Sequence, residues 1–118
     1  MRFFFTKADR LLKRSEFLRL SNFGKKFQNK HFVAIFSPGL FQRSRLGVTV
    51  VRKVGNAAIR NRIKRLTREY FRLNRHMITG CWDINIIAKI KAAELSTGQA
   101  HQSLQHIFMN ISRGLYHQ

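Results

Sequence analysis

Apolar residues change their spacing several times along the chain, and each change marks an element. Leu12, Phe17, Leu18 and Leu20 cluster at helical spacing. Ser15 is the candidate N-cap, Glu16 suits the first turn, and Gly24 is placed to end the helix. From Lys25 to Ser37 the chain turns to Phe27, Phe32, Val33, Ile35 and Phe36, which predicts one bent strand or two short ones. Ser37-Pro38-Gly39 is a turn signal, after which Leu46, Val48 and Val50 alternate with Gly47, Thr49 and Val51 as in a strand. These segments are expected to form an antiparallel meander. A later run, Asp83 to Lys89, reads as a strand with one buried face. Ser96 with Gln99 forms a capping-box start for a last helix, whose stripe is Leu104, Ile107, Phe108, Ile111 and Leu115.

Between the strands lies a longer helical pattern. Asn56 is a good N-cap, and Ala57 through Leu73 contains no helix breaker. On a helical wheel Ile59, Ile63, Leu66, Tyr70 and Leu73 share an arc expected to pack on the sheet. Opposite them stand Arg60, Asn61, Lys64, Arg65, Arg68 and Arg72. A solvated helical face ordinarily mixes acids with bases. Here Glu69 is the lone acid, and the pairs Arg60/Lys64 and Arg68/Arg72 repel at i, i+4. Such a face requires an anion. Guanidinium forks bridge phosphate oxygens, and Asn61 adds a donor and an acceptor suited to a ribose or a base edge. The approach Arg52-Lys53-Val54-Gly55-Asn56 brings two cations to the helix N-terminus, where free backbone N–H groups favour phosphate.

Net charge widens this from one helix to the whole chain. With 118 residues the protein has room for one domain, and Lys+Arg 23 against Asp+Glu 5 gives +18. Self-repulsion of that size points to a polyanionic partner. The apolar stretches Phe3 to Phe5 and Ile84 to Ile87 are too short to cross a bilayer. Met1 through Lys7 lacks the apolar core of a signal peptide, so cytoplasmic residence is expected. The lone Cys81 offers neither a disulfide nor a zinc site and reads as a small semi-buried hydrophobe.

The same inventory argues against a self-sufficient nuclease. Asp9, Glu16, Glu69, Asp83 and Glu94 are scattered singly. His31, His76 and His117 are isolated, and His101 and His106 lie five apart, off one helical face. A DNA-binding regulator would show a helix-turn-helix pair, which is not visible. A basic ribosomal protein binding rRNA is the nearer alternative.

The run from Arg45 to Glu69, Arg-Leu-Gly-Val-Thr-Val-Val-Arg-Lys-Val-Gly-Asn followed by Ala-Ala-Ile-Arg-Asn-Arg-Ile-Lys-Arg-Leu-Thr-Arg-Glu, closely resembles the signature of the bacterial ribonuclease P protein subunit. Arg10-Leu11, Glu16-Phe17, Tyr70-Phe71-Arg72 and Gly80 through Ala88 extend the likeness over most of the chain. The resemblance implies a single α+β domain, 1–118, with element order αβββαβα, a mostly antiparallel sheet of about four strands and a left-handed βαβ crossover, as in a ribosomal-protein domain. It implies no catalytic residue and no metal site in the protein. The implied partners are a catalytic RNA, which holds Mg²⁺ and performs the cleavage, and a precursor tRNA whose 5′ leader is removed.

By the same resemblance Arg52, Lys53, Asn56, Arg60, Asn61, Arg62, Lys64, Arg65, Arg68 and Arg72 would face the catalytic RNA. The leader would lie in a cleft between the first helix and the sheet, near Phe17, Ser21, Phe32, Val33, Ile35, Ala88 and Lys89. Ser21 and Ile35 depart from the pattern, standing where aromatic residues can occur in the family. Leader stacking is therefore weaker or shifted towards Phe23 or Phe27.

Overall fold

A computed structural model describes residues 5–113. Leu115 and His117 lie outside them, as do residues 1–4. In chain order the elements are α1 (Arg14–Phe23), β1 (Lys25–Gln28), β2 (Phe32–Pro38), β3 (Arg45–Thr49), α2 (Ala57–Asn74), β4 (Trp82–Ala88) and α3 (Thr97–Arg113), with short 3-10 turns between several of them. This is the expected α+β order.

Helix boundaries follow local chemistry. α1 starts at Arg14, so Ser15 falls inside the first turn and is not the cap. Glu16 does the capping instead, its Oε1 accepting the backbone N–H groups of Lys13 at 3.2 Å and Leu12 at 3.3 Å. Gly24 ends the helix, its N–H donating to the Leu20 carbonyl at 2.8 Å. α3 opens with the expected reciprocal box, Gln99 N–H to Ser96 Oγ at 3.2 Å and Ser96 N–H to Gln99 Oε1 at 3.0 Å.

The four strands are ordered β1-β2-β4-β3. β1 and β2 form the predicted hairpin, but the meander does not continue, because β4 inserts between β2 and β3. It pairs antiparallel with β2 and parallel with β3. A parallel β3–β4 pair needs a crossover, and α2 supplies it. β4 thereby has a strand paired along each edge.

One face of the sheet builds the core. Phe32, Ala34, Phe36, Leu46, Trp82, Ile84, Ile86 and Ala88 pack there against Ile63, Tyr70 and Phe71 of α2 and Leu104, Ile107, Phe108 and Ile111 of α3. Each large side chain removed from water there contributes about 1.5–3 kcal/mol. The buried line of α2 is Ile63, Thr67, Tyr70 and Phe71, shifted from the predicted arc. Leu73 is exposed and Leu66 half-buried. Thr67 fits in the core because its hydroxyl donates to the Ile63 carbonyl at 2.8 Å. Cys81 is exposed, just ahead of β4, and not semi-buried.

The other face carries α1. Strand register sets its side chains in three rows, Gln28–Val33–Ile87–Thr49, Lys26–Ile35–Asn85–Gly47 and Ser37–Asp83–Arg45. The last row anchors the helix. Arg45 donates to both Asp83 oxygens at 3.0 Å and reaches Glu16 of α1 at 2.7 Å.

Candidate nucleic-acid interface

The cationic surface begins where β3 leaves the sheet. Arg52 and Lys53 sit exposed on a 3-10 turn, and Asn56 caps α2 by accepting the Ile59 N–H at 3.0 Å on its side-chain oxygen. Gly55 is needed here for space. Its backbone is extended, but a β-carbon would fall 2.9–3.0 Å from three carbons of Ile59. Arg60 folds back and donates to the Gly55 carbonyl at 2.9 Å, fixing a guanidinium beside the helix start.

Beyond this turn the predicted residues divide. Asn61 and Arg65 are exposed; Lys64 and Arg68 are half-buried on the same side of α2. Burial first, and then the neighbouring charge of Arg10, lower the pKa of Arg68. Arg10 and Arg68 thus repel, and neither forms an ion pair with a carboxylate among the described residues. Arg62 points elsewhere, donating to the Leu95 carbonyl at 2.8 Å and tying α2 to the turn before α3. Arg72 is held by Glu69 at 2.6 Å. Among the described residues, ion pairs engage Asp9, Glu16, Glu69 and Asp83 with Arg43, Arg45, Arg72 and Arg75. These four acids are therefore committed away from Arg60, Lys64, Arg65 and Arg68, and the fifth, Glu94, lies on the turn before α3.

The α1 cleft contains part of the second predicted set. Phe17 lies over Gly47, with Leu11 beside it, and Ser21 is exposed one helical turn on. Val33, Ile35 and Ile87, all half-buried, belong to the floor. Lys89 follows at its end, its Nζ donating to the Asn29 carbonyl at 2.7 Å. Phe32 and Ala88 do not belong to the cleft. They pair across β2 and β4 with side chains on the opposite face, 2% and 4% exposed, inside the core. Phe27 is also on that face, edge-on to His106. Phe23 is 81% exposed at the end of α1.

Four residues of this region escaped the sequence reading. Arg10 bridges to Leu46 on the outer edge of β3 and links the α2 face to the α1 side. Gly47 gives Phe17 its seat. Thr49 Oγ1 donates to Asn85 Oδ1 at 3.1 Å, which places a neutral polar pair between the Arg45–Asp83 row and the apolar Val33 and Ile87. Alternation in β4 carries the signal for Asn85, since the core-facing phase Ile84, Ile86, Ala88 sends Asp83, Asn85 and Ile87 the other way. No group of three His, Cys, Asp or Glu among the described residues is placed to hold a metal ion.

The comparisons with known proteins agree with this geometry. A protein-family model described as Ribonuclease P matches residues 5–112. The ribonuclease P protein component of Desulfatibacillum aliphaticivorans is 49% identical over 115 residues, covering 98% of each chain. The solved ribonuclease P protein of Staphylococcus aureus superposes with a TM-score of 0.83 at 35% identity, covering 91% of this chain and 97% of that one. The Thermotoga maritima protein gives 0.81 at 35%, covering 86% and 96%. With a family model spanning nearly all the described residues, and relatives that share both sequence and fold, the chain belongs to the ribonuclease P protein family.

Proposed function

We propose that the chain grips the catalytic RNA of ribonuclease P with the unneutralised face of α2 and holds the 5′ leader of precursor tRNA in the α1 cleft. The RNA, with bound Mg²⁺, cleaves the leader, and the protein works in the cytoplasm as its cofactor. The observation that carries this reading is the adjacency of the two surfaces. α2 packs on one face of β3, α1 lies on the other face of the sheet against β2 and β4 and seats Phe17 over Gly47 of β3, and Arg10 on the strand's edge lies within electrostatic reach of Arg68. Phosphate held along Arg60, Lys64, Arg65 and Arg68 thus continues around one strand into a groove seated by Phe17, where an unpaired base can stack.

The electrostatics support an RNA-borne reaction. Asp9, Glu16, Glu69 and Asp83 are bound to arginines, and a carboxylate so engaged is poorly placed to hold a catalytic metal. A basic protein lowers the Mg²⁺ that two anionic RNAs need to associate, because its cations replace screening ions.

The test mixes protein, catalytic RNA and labelled precursor tRNA at low Mg²⁺ and compares leader cleavage with each component alone. Efficient cleavage by the mixture only is the expected result. Cleavage by the protein alone would refute RNA catalysis, and inactivity of the mixture would favour rRNA binding. Phe17→Ala is expected to spare affinity for the catalytic RNA while reducing the preference for leader-bearing over mature tRNA.

A further inference from the structure

We infer that Asn85 and Thr49 read the identity of one leader nucleotide from the floor of the α1 cleft. This rests on the reading of that cleft as the leader site and adds base selectivity to it. Asn85 occupies the middle of the central strand, between Ile84 and Ile86, with Ile35 and Gly47 as its cross-strand neighbours. Its residue is 7% exposed. At such a position an amide with unmet hydrogen bonds opposes folding, and a valine would pack without that cost.

The hydrogen bonds of the pair are only half used. Thr49 spends its one proton on Asn85 Oδ1 at 3.1 Å. That leaves the two N–H donors of Asn85 Nδ2 and the lone pairs of Thr49 Oγ1. No partner meets Nδ2 among the described residues, yet it is not among the atoms sealed from solvent. Phe17 on Gly47 stands next to Asn85, because Gly47 and Asn85 are register partners. Beyond Asn85 the floor is made of Val33 and Ile87, which offer no competing hydrogen bond.

A donor beside an acceptor, next to an aromatic ring and flanked by the apolar Val33, Ile35 and Ile87, suits the edge of an unpaired nucleobase. Phosphate would use only the donor and be repelled by the hydroxyl lone pairs. Each base presents donors and acceptors in its own order along its edges, so this fixed pair rewards some bases and leaves polar groups unmet against others. The signal is therefore selectivity among leader sequences, distinct from the general affinity supplied by Lys89 and the arginines.

The experiment uses the reconstituted holoenzyme and precursor tRNAs that differ in one leader nucleotide at a time, with mature tRNA as the leaderless control. Affinity is measured for the natural protein, Asn85→Val and the near-isosteric Thr49→Val. At one leader position the natural protein should prefer some bases by about fivefold per hydrogen bond made, and both variants should level that preference while binding mature tRNA and catalytic RNA as before. If Asn85→Val fails to fold, Thr49→Val decides alone. A base preference that both variants retain overturns the inference. Leader-dependent affinity with no base preference in the natural protein also overturns it, and leaves the cleft as a leader site. Equal affinity for leader-bearing and mature tRNA would instead sink the leader reading itself.

Discussion

The ring of Phe17 occupies the space that a β-carbon on Gly47 would need, since such a carbon would lie 2.5 and 2.7 Å from Cε1 and Cζ of the ring. At those distances the far end of the ring must move, and Leu11 Cβ at 3.3 Å leaves the added carbon no room on the adjacent side. Gly47→Ala should therefore push the ring out of its seat. A loss of about 1–3 kcal/mol is expected, as for other overpacked sites, together with a weaker preference for leader-bearing tRNA. In a Phe17→Ala background the same substitution should cost little, and a double-mutant cycle by urea denaturation measures the difference.

Two carboxylates make stability depend on pH in a stated direction. Burial raises the pKa of Asp9, but the Thr6 backbone N–H and then Arg75 and Arg43 outweigh it, leaving it below the ordinary 3.8. In Glu16 burial is likewise outweighed, by the Lys13 and Leu12 N–H groups and Arg45, so that it falls below 4.5. Since the unfolded chain takes up these protons at higher pH than the folded one, both groups stabilise the fold above their ordinary values, and the contribution is lost as pH falls through the lowered ones. Denaturant midpoints should therefore drop on acidification through this range, and Glu16→Gln should flatten the drop. A midpoint independent of pH below 4.5 would exclude the α1 anchor as a source of stability.

Asn56 separates capping from RNA contact. Asn56→Ala removes the acceptor for the Ile59 N–H and should cost about 1 kcal/mol. Asn56→Asp keeps the cap and suits the helix dipole, yet it puts a negative charge where phosphate is expected. The aspartate variant should thus unfold like the natural protein while binding catalytic RNA more weakly. Thermal melts and filter binding on the same preparations make the comparison.

Much of this architecture was legible because its signals are local. A cap, a long helical period and one sign of charge made α2 and its cationic face readable from Asn56 onward. The Ser96/Gln99 box did the same for α3. Strand order was hidden, because the choice between β2–β3 and β4 pairing depends on contacts far apart in the chain. The face assigned to Phe32 and Ala88 failed for a related reason. Phe32 to Phe36 is apolar at every position, so alternation has no visible phase, and a shift of one residue exchanges core for cleft. Thr67 was passed over because its hydroxyl reads as polar until a helix carbonyl accepts it. Arg62 looked like its neighbours, although its guanidinium serves the fold.

That last division is open to direct measurement. Arg62 donates to Leu95, and its loss leaves a backbone carbonyl without its charged donor, so Arg62→Ala should lower stability by about 1 kcal/mol. Arg65 is exposed on the cationic face and makes no such bond, so Arg65→Ala should leave stability within about 0.5 kcal/mol. Its effect is expected in RNA binding instead. If Arg65 neutralises one phosphate, the plot of log affinity against log salt should become shallower by about 0.7–0.9. Urea melts and salt titrations on both variants give four numbers, and the expected pattern is crossed: a large stability change for Arg62, a slope change for Arg65. Equal slopes for Arg65→Ala and the natural protein would remove Arg65 from the interface. A stable Arg62→Ala with a reduced slope would mean that the Leu95 contact gives way to RNA when the complex forms.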